Sequence, residues 1–130
     1  GQFVLEKNDE ENLGLLNLKH AGTLPLVESI RLYSIKYKIT KTSTFDRLEE
    51  LNKLKVLTND ETDFFKNAYR FMSSILLQNQ VERTRKGLPI KNFIDPKQLL
   101  EREKKVLKIY LKKIKELKQR VRVDIGEEYF

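Results

Sequence analysis

The sequence contains no cysteine, no tryptophan and a single histidine, His20. Without cysteine, the chain can form neither a disulfide bond nor a thiolate metal site, and this fits a reducing compartment. With one histidine, it cannot build a metal cluster or a catalytic dyad from histidines of its own. No apolar run approaches the ~18 residues that cross a bilayer, and no signal-peptide pattern is present. We therefore expect a cytoplasmic protein that makes no contact with a membrane.

The sequence also contains no recognisable catalytic constellation. The five glycines are scattered and form no phosphate-binding loop. Neighbouring carboxylates, such as Glu49 and Glu50, point apart on a helix and cannot easily share a metal ion. Two-metal transfer of a nucleotide needs aspartates spaced one residue apart on a strand, and the sequence has none. We expect the chain to catalyse nothing alone and to hold no cofactor. Because it begins at Gly1 and not at methionine, we expect a piece of a longer protein or a tag remnant.

The positive charge is concentrated in one stretch. The chain carries a net charge of +7, and residues 97–122 hold eleven Lys or Arg and three Glu, which leaves −1 for the remainder. A basic helix can contact phosphate groups. Here, however, the lysines alternate with an apolar stripe, and no aromatic residues are interleaved with them for base stacking. We therefore favour a solvated face or an acidic neighbouring domain over a nucleic acid.

Residues 59–87 are predicted to form the helix around which the others pack. Thr58 and Glu61 have the spacing of a capping box, and Gly87 stands where a left-handed residue ends a helix. Between them, apolar residues recur at steps of three and four and form one broad face, which other helices must cover. Near its end the helix becomes polar at residues 78–80, which either emerge into solvent or line a cleft.

Two shorter helices are predicted before this long one. The first starts with Thr23 as its N-cap and Pro25 in its first turn, and it continues to about Tyr37. His20 lies in the break before it. The second is capped by Ser43 or Thr44, and its inner face consists of Phe45, Leu48 and Leu51.

A second long helix is predicted at the end of the chain. Asp95-Pro96, with Gln98 reaching back, is a start signal, and the helix then runs from Leu100. Its apolar positions alternate steps of three and four, which predicts a seam against the helix at residues 59–86. They are Leu107, Tyr110, Ile114, Leu117 and Val121.

These elements predict an all-α protein, a bundle of four main helices. We assign residues 1–22 to a lead-in segment, residues 23–122 to the bundle and residues 123–130 to a C-terminal tail. The tail ends in Tyr129 and Phe130, which we expect to pack back onto the bundle.

Three segments together carry a family resemblance: LKHAGTLPLVESIRLYSIKYKI, TSTFDRLEELNKLKVLTNDETDFFKNAYRFMSSILLQNQ and NFIDPKQLLEREKKVLKIYLKKIKELK. Their specific features, in order, are the Pro-led helix with Arg31, the Thr-Ser-Thr cap, the Arg47-Leu48 pair, the helix that ends in Gln80, and Asp95-Pro96. As a set, these features resemble the C-terminal helical domain of signal-transduction nucleotidyltransferases.

In that family, the domain follows a nucleotidyltransferase core related to the uridylyltransferase of nitrogen regulation, often with cyclic-nucleotide-binding and CBS domains upstream. The resemblance implies a non-catalytic substrate-binding domain that closes a cleft over nucleotide or acceptor. The core in the same chain would supply catalysis with Mg²⁺ and a nucleoside triphosphate. The resemblance also implies substrate-binding residues, which are Lys19, Arg31, Thr42, Arg47, Arg70 and Gln80.

The helix order predicts a cleft with Thr42 and Thr44 at its rim, and the residues gathered around it are Arg31, Arg47, Arg70 and Gln80. Each of these side chains can instead satisfy a local partner, such as Glu28 for Arg31 or Glu50 for Arg47. The whole domain also has an alternative function. It can be a helical interaction or dimerisation module that makes no contact with substrate, with a protein acceptor or a second copy as its partner.

Overall fold

The computed structural model describes residues 2–7 and 12–126. Within these residues the chain forms four α-helices, a π-helical turn, a short 3₁₀ helix and a two-stranded antiparallel sheet. The predicted all-α class is confirmed. The predicted contacts of Tyr129 and Phe130 lie outside the described residues. The helices are α1 (Leu24–Lys36), α2 (Thr44–Lys53), α3 (Asn59–Arg85) and α4 (Glu101–Ile125), and the strands are β1 (Leu16–Asn17) and β2 (Phe93–Ile94).

The predicted caps of α2 and α3 are present. The Thr58 hydroxyl accepts a hydrogen bond from the Glu61 N–H at 3.1 Å, and the Glu61 carboxylate accepts one from the Thr58 N–H at 2.9 Å. Ser43 caps α2 by accepting a hydrogen bond from the Asp46 N–H at 3.1 Å. After α3, Gly87 adopts a φ of +70°, which a residue with a Cβ reaches only with strain. These caps use neighbouring residues only, and so the sequence predicts them well.

The predicted N-cap at Thr23 is wrong. Thr23 has helical φ and ψ angles, and its side chain caps no backbone N–H. It instead ends a π-helical turn, Lys19–Thr23, that leads directly into α1. Gly22 lies in this turn, where an added Cβ would collide with Met72 of α3 and come within 3.0 Å of Leu111 of α4. The missing side chain lets the turn pack between two helices, so the glycine that suggested a break allows close approach.

The predicted run of α4 from Leu100 is confirmed to within one residue, although the start signal at Asp95-Pro96 opens a separate element. Asp95 accepts a hydrogen bond from the Lys97 N–H at 3.0 Å, but the element that follows is the 3₁₀ helix Pro96–Gln98. The α-helix begins only at Glu101, after Leu100 donates its N–H to the Glu103 carboxylate at 2.8 Å. Helical structure therefore extends from Lys19 to Ile125, slightly beyond the range 23–122 at both ends.

The apolar seam of α4 is buried, but its main neighbour differs from the prediction. Leu107, Ile114 and Val121 have no exposed surface. The helix packs chiefly against α1 and, to a smaller extent, against α3. Tyr110 marks the contact with α3, because its ring lies 5.2 Å from Phe64 and 5.6 Å from Phe71, centroid to centroid. A seam shows that a face is buried, but it does not identify which of two helices buries it.

A polar network joins the ends of three helices. The Tyr33 hydroxyl on α1 donates a hydrogen bond to the Asp124 carboxylate on α4. The Arg120 guanidinium on α4 donates to the Glu61 carboxylate on α3 at 2.7 Å and to the Val56 carbonyl at 2.6 Å. Burial raises the pKa of Tyr33 far above its usual range, and the bond to Asp124 acts in the same direction. Tyr33 therefore stays protonated and remains a hydrogen-bond donor.

The strands pair residues that are distant in sequence. Leu16 lies opposite Ile94, and Asn17 lies opposite Phe93. The Asn79 side chain of α3 donates a hydrogen bond to the Phe93 carbonyl at 2.8 Å. Within the described residues, none of the helices is both long enough and apolar enough to cross a bilayer.

A first prediction tests the burial of α4. Leu107 and Ile114 have no exposed surface, whereas Ile109 on the same helix is 54% exposed. Leu107→Ala or Ile114→Ala is expected to lower the free energy of unfolding by about 2–5 kcal/mol. Ile109→Ala, the matched control, is expected to change it by less than about 0.5 kcal/mol. Urea unfolding measures both values, and equal losses at the three positions would contradict this packing.

A second prediction concerns pH. Burial acts to raise the pKa of Glu61, but the Thr58 N–H and the Arg120 charge outweigh it and hold the pKa below 4.5. A carboxyl with a lowered folded-state pKa adds stability above its unfolded pKa, and this stability is lost as pH falls through the folded-state value. Glu61→Gln keeps a side chain that can accept the Thr58 N–H and removes the charge. Because the Glu61 side chain is 36% exposed, we expect a loss of at most about 1 kcal/mol at pH 7.

This loss is expected to shrink when the pH falls below the ordinary carboxyl pKa of 4.5. The free energies of unfolding of the unmodified chain and of Glu61→Gln, measured at pH 7 and at about pH 3, give this loss. If the two proteins differ in free energy of unfolding by the same amount at both pH values, the charge of Glu61 contributes nothing to stability.

Candidate functional site

A groove with basic walls runs between the start of α1 and the exposed face of α4. Four lysines spaced three or four residues apart on α4 line its larger cavity, whose volume is about 420 Å³. Opposite them lie His20 and Ala21 of the π-helical turn. The cavity is also lined by apolar side chains from both sides, including Pro25, Leu111 and Ile114. The lysines are Lys108, Lys112, Lys115 and Lys118.

The first described residues of the chain form one wall of this cavity. Gln2, Phe3 and Val4 all line it. The Lys108 ammonium lies 5.1 Å from the centre of the Phe3 ring, within the range of a cation–π interaction. The segment is held farther along, where the Glu6 N–H donates a hydrogen bond to the Leu15 carbonyl at 2.9 Å. The first described residues therefore lie beside the groove.

A second cavity of about 340 Å³ continues the groove along α4. Pro25 and Lys118 line both cavities, so the two adjoin. The additional residues here are mostly polar, and they include Arg31 from α1 and Arg122 from α4. From Lys108 to Arg122, α4 rises roughly 21 Å at about 1.5 Å per residue. We call the two cavities together the basic groove.

Within the described residues, none of the four groove lysines forms an ion pair with a carboxylate. The described lining of the larger cavity contains no Asp or Glu, and that of the smaller cavity contains Glu28. Cations elsewhere on α4 do pair, since Lys113 lies 3.4 Å from Glu116 and Lys104 lies 3.0 Å from Glu101. Unneutralised lysines along an apolar floor produce a positive potential that attracts anions. The arrangement is therefore suited to an anionic ligand with an apolar part.

A family model matches residues 1–125 of the chain, and its description is putative nucleotidyltransferase substrate binding domain. The chain belongs to this family. The resemblance seen in the sequence is thereby confirmed at the level of the domain. A search of curated proteins and a search of solved structures each found no significant match.

Of the six predicted substrate-binding residues, Arg31 lines the basic groove. Arg31 is exposed on α1 and lines the smaller cavity opposite Lys118. Within the described residues, Arg31 forms no ion pair with Glu28, the local partner that was the alternative. Lys19 is exposed at the start of the π-helical turn, next to His20.

Two other predicted residues, Arg47 on α2 and Arg70 on α3, make contacts at α2 and the loop before it. The Arg47 side chain donates a hydrogen bond to the Lys41 carbonyl at 2.8 Å, and it thereby closes the loop between α1 and α2. The Arg70 guanidinium of α3 lies 4.8 Å from the centre of the Phe45 ring. Arg47 does not pair with the nearby carboxylates, because Glu49 pairs with Lys66 and Glu50 lies 3.4 Å from Lys53.

Thr42 and Gln80 complete the set. Thr42 is exposed in the loop between α1 and α2, and Gln80 is half-buried near the end of α3. Neither lines the two cavities of the basic groove. Contact with substrate stays a prediction for these two residues, as it does for Lys19, Arg31, Arg47 and Arg70.

The groove does not fit the Mg²⁺ that nucleotidyl transfer uses. Mg²⁺ takes six oxygen ligands, usually one or two carboxylates with phosphates and water. In the described part of the chain, no group of three His, Cys, Asp or Glu residues is placed to hold a metal ion. Glu28 is surrounded by cations in the smaller cavity. Its charge is therefore opposed by neighbours that would repel a metal ion.

Sequence reasoning missed His20 and the groove lysines. The spacing of Lys108, Lys112 and Lys115 is a visible signal, because steps of four and three place side chains on one helix face. What the spacing cannot show is that the π-helical turn lies opposite that face. The same pattern therefore predicts a solvated surface equally well.

Proposed function

We propose that this domain binds the anionic substrate of a nucleotidyltransferase and that the basic groove is the surface that holds it. The single observation that supports this most strongly is the row of four lysines that face an apolar floor and, among the residues the structure describes, form no ion pair. The substrate of the reaction class is a nucleoside triphosphate, which carries several negative charges and an uncharged base and sugar. A groove with cationic walls and an apolar floor complements both parts.

The position of the N-terminal segment supports a cleft between this domain and a core. Gln2, Phe3 and Val4 lie at the groove, so a core attached upstream would be held beside it. The core would supply the carboxylates and Mg²⁺ that the groove does not fit, and this domain would close over nucleotide or acceptor. Cyclic-nucleotide-binding and CBS domains farther upstream belong to the same proposal, which rests there on the sequence resemblance.

The predicted residues outside the groove fit this proposal in a different role. Thr42 lies in the loop before α2, Arg47 lies on α2 and Arg70 lies on α3. We propose that this surface contacts the acceptor or the core, and that Arg31 contacts the nucleotide. Lys19 and Gln80 remain candidates for either role.

A third prediction tests nucleotide binding directly. The unmodified chain is expected to bind nucleoside triphosphates in calorimetric titration, with an affinity that falls as salt is added because exposed charges are screened. Lys118→Glu reverses a charge that both cavities share, and we expect it to weaken binding by at least about tenfold, or 1.4 kcal/mol. Arg102→Glu is the matched control, since Arg102 is exposed on α4 and outside the groove lining.

Two results would contradict the proposal. One is the absence of binding heat with any nucleoside triphosphate, and the other is equal loss of affinity in Lys118→Glu and Arg102→Glu. Circular dichroism of all three proteins checks that the fold is unchanged.

A second candidate function is a helical interaction or dimerisation module without substrate contact. One observation favours it, because several aliphatic side chains at the end of α3 and just after it are exposed. They are Leu77, Val81, Leu88 and Ile90. The calorimetric experiment separates the two candidates when the mass in solution is also measured. A dimerisation module gives no nucleotide-dependent heat and a mass that rises with protein concentration.

A further inference from the structure

The two ends of the basic groove differ in chemistry. The larger cavity is lined by lysines and by apolar side chains such as Leu111 and Ile114. The smaller cavity brings Arg31 and Lys118 together with the hydroxyl-bearing Ser29 and the carboxylate of Glu28. A ligand that fills the whole groove would therefore meet apolar side chains flanked by lysines at one end, and mostly polar side chains that include a guanidinium at the other.

We infer that the smaller cavity, between Arg31 of α1 and Lys118 of α4, is the phosphate subsite of the groove, and that the larger cavity takes the uncharged part of the same ligand. This inference rests on the proposed function and adds to it a direction for the bound nucleotide. The polyphosphate points toward the C-terminal half of α4, and the base and sugar point toward Phe3.

The type of cation supports this assignment. A guanidinium is a rigid planar fork that holds phosphate oxygens through two parallel hydrogen bonds. A lysine ammonium is a strongly hydrated point charge on a flexible stem, and it attracts a phosphate without orienting it. Arg31 and Arg122 line the smaller cavity, whereas the cations of the larger cavity are lysines. Oriented binding of phosphate is therefore expected where the guanidinium lies.

The placement of Arg31 supports it further. Arg31 is exposed on α1, and the structure gives it no ion pair with Glu28 three residues earlier. Among the described residues, its guanidinium is thus paired with no carboxylate. Glu28 adds one negative charge at this end, and the positive charges of Arg31 and Lys118 outweigh it.

The competing explanation is a diffuse field, in which every cation of the groove contributes equally to attraction of an anion. The two explanations differ in how affinity for a bare polyphosphate depends on position. Inorganic tripolyphosphate carries the charge of a nucleoside triphosphate without its base and sugar. It therefore reports on the phosphate subsite alone.

A fourth prediction uses this probe with the 130-residue chain and four variants. Arg31→Ala is expected to weaken tripolyphosphate binding at least about tenfold, and Arg31→Lys at least about threefold because the fork is lost. Lys112→Ala removes the same charge from the other cavity, and its loss is expected to be at least threefold smaller than that of Arg31→Ala. Arg102→Ala, outside the groove, is the control for net charge. Melting temperatures of all variants check folding.

The outcomes separate this inference from the proposed function. Equal losses in Arg31→Ala and Lys112→Ala, or unchanged affinity in Arg31→Lys, would overturn the phosphate subsite while nucleotide binding itself stands. If the unmodified chain binds neither tripolyphosphate nor a nucleoside triphosphate, the proposed function fails and the subsite fails with it.

Discussion

Helix α4 must bury one apolar stripe while it keeps a large number of cations hydrated, and the rest of the structure depends on this constraint. Leu107, Ile114 and Val121 are fully buried, so the helix has a fixed rotation about its axis. Desolvating an unpaired ammonium is costly, so the lysines between these residues must remain at the surface. They lie along the edges of the interface and on the exposed face of the helix. The basic groove forms where lysines of this surface lie opposite the π-helical turn and the start of α1.

The polar network at the C-terminal end of α4 holds this helix in its orientation against the neighbouring helices. Arg120 reaches the Glu61 carboxylate on α3 and Tyr33 hydrogen-bonds to Asp124, so α4 is held to two helices at once. Burial opposes the charge of Arg120, but Tyr33 and Glu61 outweigh it and raise the pKa of the guanidinium. At the other end, Gly22 lets the π-helical turn approach α4 closely. These contacts hold α4 in place beside α1 and the π-helical turn, which line the other side of the groove.

Signals between neighbouring residues predicted local structure correctly. Features that depend on contacts between residues distant in sequence were not predicted. The Thr58–Glu61 capping box and the left-handed Gly87 were predicted because neighbouring residues decide them. The buried stripe of α4 was predicted from its period, but α1 as its main neighbour was not. The family was identified from motifs, whereas the groove lysines looked like a solvated face. Thr23 and Gly22 look like a helix start, and only packing against Met72 shows otherwise.

The most direct test of a substrate groove between α1 and α4 is a map of where a nucleotide binds. A nitrogen–proton correlation spectrum of the labelled chain, recorded during titration with a non-hydrolysable nucleoside triphosphate, provides that map. We predict that the largest shifts belong to the amides of His20, Ala21 and Arg31 and of residues 112–118 on α4. Shifts concentrated instead around Arg47 and Arg70, or the absence of shifts at saturating nucleotide, would contradict the account.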